Sequence, residues 1–259
     1  MAIIEVGLGG RLDTTNVITP DMSIITNISL DHVALLGHDL PSIAREKAGI
    51  IKPDIPAIIG EAEGDVKSVF RQRADEVGAP ILFAQECNNM TSATPMRGGW
   101  LYTDTLAGDI WGELGGLCQE KNAATILTAV TELRNRGYDI PDEAIREGFA
   151  HVTTLTGLQG RWQKLADAPL TICDTGHNIG GMQYIAQQLS ETPCRNLRIV
   201  LGMVNDKDIS GVLSLLPRDA QYYFTQASVA RALSAHEVAA IATKYGLQGN
   251  CYDNVATSF

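Results

Sequence analysis

Nothing in the 259 residues reads G-x-x-x-x-G-K-[ST], and no glycine is followed directly by lysine. The chain therefore carries no phosphate-cradling loop of that type. Nor does any apolar run approach the ~18 residues of a membrane span. The N-terminus has no basic segment leading into an apolar one, so it does not read as a secretory signal. Cysteine is sparse. Cys87, Cys118, Cys173, Cys194 and Cys251 are odd in number, scattered and never spaced C-x-x-C. That argues against a disulfide framework or zinc knuckle and fits a reducing cytosol. Positive charge is not in excess: 20 basic residues face 30 acidic ones, a net charge of −10. A general nucleic-acid or anionic-membrane surface is disfavoured, whereas a local basic cleft is not. Internal repeats and low-complexity segments are absent.

What is present is ordinary for a globular chain, with 45% apolar and 19% charged residues and length enough for two domains. Residues 2–6 are apolar and β-branched around Glu5, as in a buried parallel strand. Gly7, Gly9 and Gly10 then let the backbone turn. A second run, 22–28, ends before Asp31-His32. Open parallel sheets bind ligands beyond the carboxyl ends of their strands, so Glu5 and His32 could face one cleft. A carboxylate and an imidazole suit Mg²⁺ or Mn²⁺. Each residue alone has a plainer reading, Glu5 as a loop hydrogen-bonder and His32 as a satisfied surface group. Gly7-Leu8-Gly9-Gly10 lacks the third glycine of a dinucleotide fingerprint, which makes a dehydrogenase a poor match.

Further along, Asp39 and Pro41 start a helix that runs to about Ala48 and stops at Gly49. Ala57–Ile59 and 81–83 read as strands, with an amphipathic helix over 65–77 between them. Residues 87–110 are irregular, with room for antiparallel strands. Gly115-Gly116 opens a long helix reaching about Arg136-Gly137, and another covers 141–150. The small, polar residues 153–160 read as a linker. A βαβαβα pattern follows: a strand over 170–174, a helix over 179–189, strands at 197–203 and 222–224, a capping box at Ser234–Glu237, and a strand near 252. Asp13, Thr14 and Asn122 can be read as caps. Lys47 can be read as a helix-end cation, Arg161 as an interdomain ion pair and Lys207 as part of a solvated loop.

Several segments occur together and in order. They are Glu5 to Asn16, Asp31-His32, and Arg45-Glu46-Lys47-Ala48-Gly49-Ile50. Gln119-x-x-Asn122-Ala123-x-Thr125, Gly160-Arg161-Trp162, Asp174-Thr175-Gly176-His177-Asn178 and Asn205-Asp206-Lys207-Asp208 complete the set. This set closely resembles folylpolyglutamate synthase/dihydrofolate synthase of the Mur ligase superfamily, over nearly the whole chain. The resemblance implies an α/β fold in two domains, each with a mainly parallel sheet. Residues 1–153 would be part of a Mur ligase central (ATPase) domain. Residues 160–259 would be a Rossmann-like C-terminal ligase domain, cut short. The implied reaction is ATP-dependent addition of L-glutamate to dihydropteroate or folate through an acyl phosphate, with ATP and Mg²⁺ as cofactors.

By the same resemblance, Glu5, His32 and a carbamylated Lys47 hold metal, with Lys47 and His32 at the catalytic centre. Leu12, Asp13 and Thr14 belong to the pteroate pocket. Asn122, Arg161, Asp174 and His177 bind nucleotide, and domain closure assembles the site. Lys207 approaches phosphate or the incoming amino acid. Thr175-Gly176 departs from the family's Asp-Gly-Ala-His-Asn at two positions, which bears on the fine shape of the nucleotide pocket. The implied partners are small molecules only, for a cytoplasmic monomer with no nucleic acid and no membrane. A phosphate-loop half is expected before Met1, and the end at Phe259 reads as abrupt. Two rivals stay open. One is a peptidoglycan-type Mur ligase, against which Leu8-Gly9-Gly10-Arg11-Leu12-Asp13 argues. The other is a non-catalytic nucleotide-binding fragment, which the missing phosphate loop favours.

Overall fold

The computed structural model describes residues 1–205 and 208–258, the side chain of Ala34 apart. The chain divides into two compact units. One holds Met1–Ser29 and Val33–Thr175, the other Leu30–His32 and Gly176–Phe259.

The first unit is built on three parallel strands, β1 (Ser23–Ile25), β2 (Ala57–Ile59) and β3 (Ile81–Phe83), in that order. Ile24 pairs with Ile58, and Ile58 with Leu82. Between the strands run α1 (Val33–Leu36), α2 (Leu40–Ala48) and α3 (Gly64–Val77). The start of α2 is fixed by Asp39, whose carboxylate accepts the Ser42 amide at 2.7 Å, with Pro41 in the first turn. On α3, Val66, Phe70 and Ala74 recur every fourth residue and are buried, and Gly78 ends the helix at φ 66°. Phe70 is fully buried among Ile25, Ile59 and Phe83, a burial that contributes roughly 1.5–3 kcal/mol.

Three antiparallel strands follow: β4 (Ser92–Met96), β5 (Gly99–Thr105) and β6 (Gly108–Gly112). After them come α4 (Gln119–Asn135), α5 (Asp142–Ala150), α6 (Val152–Thr156) and the hairpin β7 (Gln163–Asp167) with β8 (Leu170–Cys173). Trp100, Tyr102 and Ile110 pack with Leu127 and Ile145 in a second core. Helix α4 closes on the end of β2 at Gly60. A Cβ there would strike the Thr26 carbonyl and lie 2.6 Å from Thr125 Oγ1. Glycine at this point brings the front of α4 to the carboxyl ends of the parallel strands.

The second unit has its own parallel sheet, β11 (Gly249–Cys251), β10 (Gln221–Phe224) and β9 (Arg198–Leu201), in that spatial order. Its helices are α7 (Ile179–Glu191), α8 (Ile209–Ser214) and α9 (Ala235–Ala242). Ser234 and Glu237 form the expected capping box on α9. Met182, Leu213, Tyr222, Phe224 and Val238 form the core.

The α/β class is as expected, with four local differences. Residues 2–6 are irregular, not a buried strand, and Ile3 is 93% exposed. An apolar run becomes a strand only beside a ladder partner, and no described strand pairs with this one. Residues 152–156 form a helical turn closed by Gly157 at φ 74°, within the stretch read as a linker. Strand β8 pairs antiparallel with β7 and lies outside the parallel sheet of the second unit, because the Ala168-Pro169 turn folds it back at once. The strand expected near 252 lies at 249–251, where Phe224 pairs with Cys251.

Candidate functional site

The start of α4 is held from within the second core of its unit. Gly115 and Gly116 make the turn, Gly116 at φ 95°. Trp100 Nε1 donates to the Gly116 carbonyl at 3.1 Å, and the Tyr102 hydroxyl donates to the Gln119 carbonyl at 3.2 Å, both buried. Trp162 lies close above, since a Cβ on Gly115 would come within 2.8 Å of its carbonyl oxygen. Asn122 stands inside the first turn, not at the cap position, which Cys118 occupies without a side-chain capping bond. Asn122 Nδ2 donates to Gln119 Oε1 at 3.2 Å, and Gln119 is itself buried. The amide is thus oriented by a fixed neighbour, and its reading as a helix cap does not hold.

Arg161 and Asp174 sit where the β7–β8 hairpin is closed. Thr175 N–H donates to the Gly160 carbonyl at 3.0 Å, and Trp162 N–H donates to Asp174 Oδ2 at 2.7 Å. Arg161 Nη1 donates to Thr175 Oγ1. Gly160 at φ 71° and Trp162 at φ 48° both adopt left-handed backbone, which for a tryptophan costs on the order of 1–2 kcal/mol. The hydrogen bonds on either side hold it there. Burial raises the Cys118 thiol pKa, the Asp174 carboxylate raises it further, and Arg161 opposes the shift. Those influences require Cys118 to lie within electrostatic reach of both groups. The close approach of Gly115 and Gly116 to Trp162 sets the turn that opens α4 beside the hairpin base within the first unit.

Leu12, Asp13 and Thr14 ride on a loop docked against the last turn of α2, the turn that carries Lys47. Arg11 N–H donates to the Glu46 carbonyl at 2.8 Å, and its guanidinium pairs with the Glu46 carboxylate at 2.9 Å. Asn16 Nδ2 donates to the Gly49 carbonyl at 3.1 Å. The approach is close enough that a Cβ on Gly10 would lie 2.8 Å from Ile50 Cγ2, and one on Gly49 would run into Arg11. Asp13 accepts the Leu8 and Thr15 amides at 2.9 Å each and the Thr15 hydroxyl at 2.6 Å. The Thr15 hydroxyl and those amides hold its pKa down to about 2. Asp13 thus caps the short 3₁₀ turn Thr14–Val17. Leu12 is 79% exposed, and Glu5 is exposed on irregular backbone.

In the second unit, Asp31 lies between two imidazoles. Asn178 caps α7, accepting the Gly181 amide at 2.8 Å, and donates to Asp31 Oδ2 at 3.1 Å. His177 Nε2 is 3.8 Å from Asp31 Oδ2, and His32 Nε2 is 3.8 Å from Oδ1. His32 adopts φ 50°. Two histidines read from sequence in separate roles, metal and nucleotide, thus share one carboxylate. Among the described residues, no three His, Cys, Asp or Glu side chains cluster as a cation site. Glu5 and Lys47 belong to the first unit and His32 to the second. Lys207 lies outside the described residues.

Sequence reasoning named Thr175 and Trp162 within their motifs but gave neither a role. The signal for Thr175 was its departure from the family pattern, which supplies the hydroxyl that now holds Arg161. For Trp162 no signal existed, because its role is a backbone conformation.

Comparison with known proteins adds to this geometry. Residues 160–258 match the family described as Mur ligase, glutamate ligase domain. The chain is 38% identical over 218 residues to the dihydrofolate synthase/folylpolyglutamate synthase of Escherichia coli (strain K12), covering 83% of this chain and 48% of that protein. Among solved structures, it is similar to Mycobacterium tuberculosis folylpolyglutamate synthase complexed with ADP. That match has a TM-score of 0.84 and 31% identity, over 98% of this chain and 58% of the other. It is also similar to a bifunctional folylpolyglutamate synthase/dihydrofolate synthase with Mn, AMPPNP and L-glutamate bound. There the TM-score is 0.72 and the identity 30%, over 98% of this chain and 58% of the other. The chain spans about half the length of the relatives it matches. No helix among the described residues is long and apolar enough to cross a membrane.

Proposed function

We propose that this chain, which belongs to the folylpolyglutamate synthase/dihydrofolate synthase family of the Mur ligases, supplies nucleotide-binding groups for ATP-dependent addition of L-glutamate to dihydropteroate or a folate. The observation that carries the reading is the close approach of the Gly115-Gly116 turn, which opens the helix bearing Asn122, to the hairpin base that bears Arg161 and Asp174. Arg161 offers a planar fork to phosphate oxygens, with Thr175 fixing one edge. Asp174 accepts the Trp162 amide through Oδ2, and its carboxylate is the kind of group that accepts a ribose hydroxyl. The Asn122 amide can read the edge of a base. His177 lines the neighbouring turn before α7. Leu12, Asp13 and Thr14, pinned beside α2, would border the pterin-bearing substrate.

In the whole enzyme, the substrate carboxylate would take the γ-phosphoryl group as its bond to ADP breaks. The amine of glutamate would then attack the acyl carbon, form the amide, expel phosphate and give up its proton. Glu5 and His32 are donors that suit Mg²⁺ or Mn²⁺. Lys47 suits such an ion only after its ammonium loses a proton and the neutral Nζ adds CO₂ with loss of a second proton, which gives a carbamate oxygen donor. A bound ion would neutralise charge on the phosphates. Five unpaired cysteines and a net charge of −10 support a cytoplasmic monomer that handles small molecules, with neither nucleic acid nor membrane as partner.

Because the chain has no Gly-Lys phosphate loop, the alternative of nucleotide binding without turnover applies to these 259 residues taken alone. Titration with a fluorescent ATP analogue, beside an assay of ADP release with dihydropteroate and glutamate, tests both statements. The expected result is saturable binding without measurable ADP release. Arg161→Ala and Asp174→Asn should each weaken binding by about 10–100-fold, since one charge-assisted contact contributes about 1.5–3 kcal/mol. Unchanged affinity in both variants would remove these residues from the site. In a complete enzyme, Glu5→Gln and His32→Ala should each lower kcat by about 10²–10³. Near-normal turnover with unchanged Mg²⁺ dependence would remove the metal assignment.

A further inference from the structure

A cavity of about 280 Å³ lies within the first unit, between α4, α5 and the β5–β6 sheet. Ala123, Ile126 and Val130 line it from α4, Ile145 and Phe149 from α5, and Tyr102 from β5. Asn122, Arg161 and Asp174 are not in its wall. The space exists because small residues stand where the two helices face it: Ala123 on one side, Ala144 and Gly148 on the other. A Cβ built on Gly148 meets no atom within 4 Å, so a larger side chain has room there.

The wall has a definite chemistry. No Lys, Arg, Asp, Glu or His lines it. Its one phenol is already engaged, as the Tyr102 hydroxyl donates to the Gln119 carbonyl. The Tyr102 and Phe149 rings meet edge to face at 5.6 Å and 66°. The two rings add aromatic surface to a largely aliphatic wall, against which a flat apolar molecule can lie. A charged guest would lose its hydration here and find no partner. Apolar cavities of about 150 Å³ stay dry and take up a benzene-sized molecule. This space is nearly twice that size and falls just short of the ~300 Å³ at which drug-sized pockets begin.

We infer that this pocket is a second ligand site, separate from the nucleotide groups, which takes a neutral, flat compound of one or two fused rings. The guest slides between α4 and α5 and lies against Tyr102 and Phe149. Its wall holds none of Asn122, Arg161 and Asp174, so the inference stands apart from the ligase reading.

Methyl-resolved NMR of the full 259-residue chain, titrated with indole, tests this. The Ile126, Val130 and Ile145 methyls should shift saturably with a Kd of about 1 mM or tighter, while those of Ile58 and Ile199 stay still. Gly148→Leu should fill the opening from an ordinary helical position. It should weaken indole binding at least tenfold without lowering Tm. Benzoate, similar in shape but charged, should cause no saturable shift. ATP added at saturation should leave bound indole in place. The inference is overturned if the three methyls do not respond up to the solubility of indole. It also fails if Gly148→Leu leaves the response intact, if benzoate binds equally well, or if ATP displaces the probe.

Discussion

Ile58 and Ile59 are completely buried, whereas Ile3 and Ile4, in a run of similar composition, are 93% and 52% exposed. The first pair lies in β2, hydrogen-bonded to β1 on one edge and β3 on the other, and Ile59 shares its core with Phe70. The second pair has no described strand alongside. β-branched residues state a preference for a half-buried, pleated surface, and that preference is realised only where such a surface is supplied. Between these extremes is the loop 9–16, which mixes buried, half-buried and exposed residues and is fixed to α2 by Arg11, Asn16 and the close approach at Gly49. Three regimes therefore occur within sixty residues: an unpartnered run, a docked loop and a buried strand.

The largest expected effect separates the extremes. Ile58→Ala should cost about 2–5 kcal/mol, because it opens a cavity in a core strand. Ile3→Ala should change stability by no more than about 0.5 kcal/mol. Urea unfolding of the two variants measures both. Comparable losses would mean that residues 2–6 pack as tightly as β2 and would erase the contrast.

A smaller effect probes the intermediate regime. Gly49 has φ −60°, so alanine there is conformationally ordinary and only the contact with Arg11 is disturbed. Gly49→Ala should cost about 1–3 kcal/mol by overpacking. It should also free the loop, so that trypsin cuts after Arg11 several times faster than in the parent. Unchanged cleavage would show that the loop does not depend on this approach.

Much of this was legible in sequence. The Asp39 cap, the Val66-Phe70-Ala74 stripe and the Ser234–Glu237 box each encode an element through contacts a few residues apart. Asn122, Arg161 and Asp174, which we propose bind nucleotide, stood out through motif spacing. What stayed hidden depends on distant partners or on backbone conformation. Thr175 reaches Arg161 across a hairpin, and Trp162 holds φ 48° under Asp174. Asp31 gathers His32, His177 and Asn178 from positions far apart in the chain. The irregularity of residues 2–6 is likewise a fact about neighbours, which five residues cannot state for themselves.

The smallest effect concerns pH and the docked loop alone. Asp13 accepts three hydrogen bonds, and its pKa is held down to about 2 from an ordinary value of 3.8. A depressed carboxylate favours the folded loop while the unfolded group is also ionised, so its contribution is complete above about 3.8. It declines as pH falls toward 2 and is gone below that, where both states bind the proton. Amide hydrogen exchange should therefore show Leu8 and Thr15, whose N–H groups Asp13 accepts, losing protection between about pH 4 and pH 2. The Ile58 amide, in the ladder with β1 and β3, should keep its protection over the same window. Asp13→Asn should abolish the pH dependence at Leu8 and Thr15, because an amide does not titrate there. If Leu8, Thr15 and Ile58 lose protection together, the loop and the sheet melt as one body, and the docked loop is no separate regime. If Leu8 and Thr15 stay protected to pH 2, Asp13 is not what orders the loop.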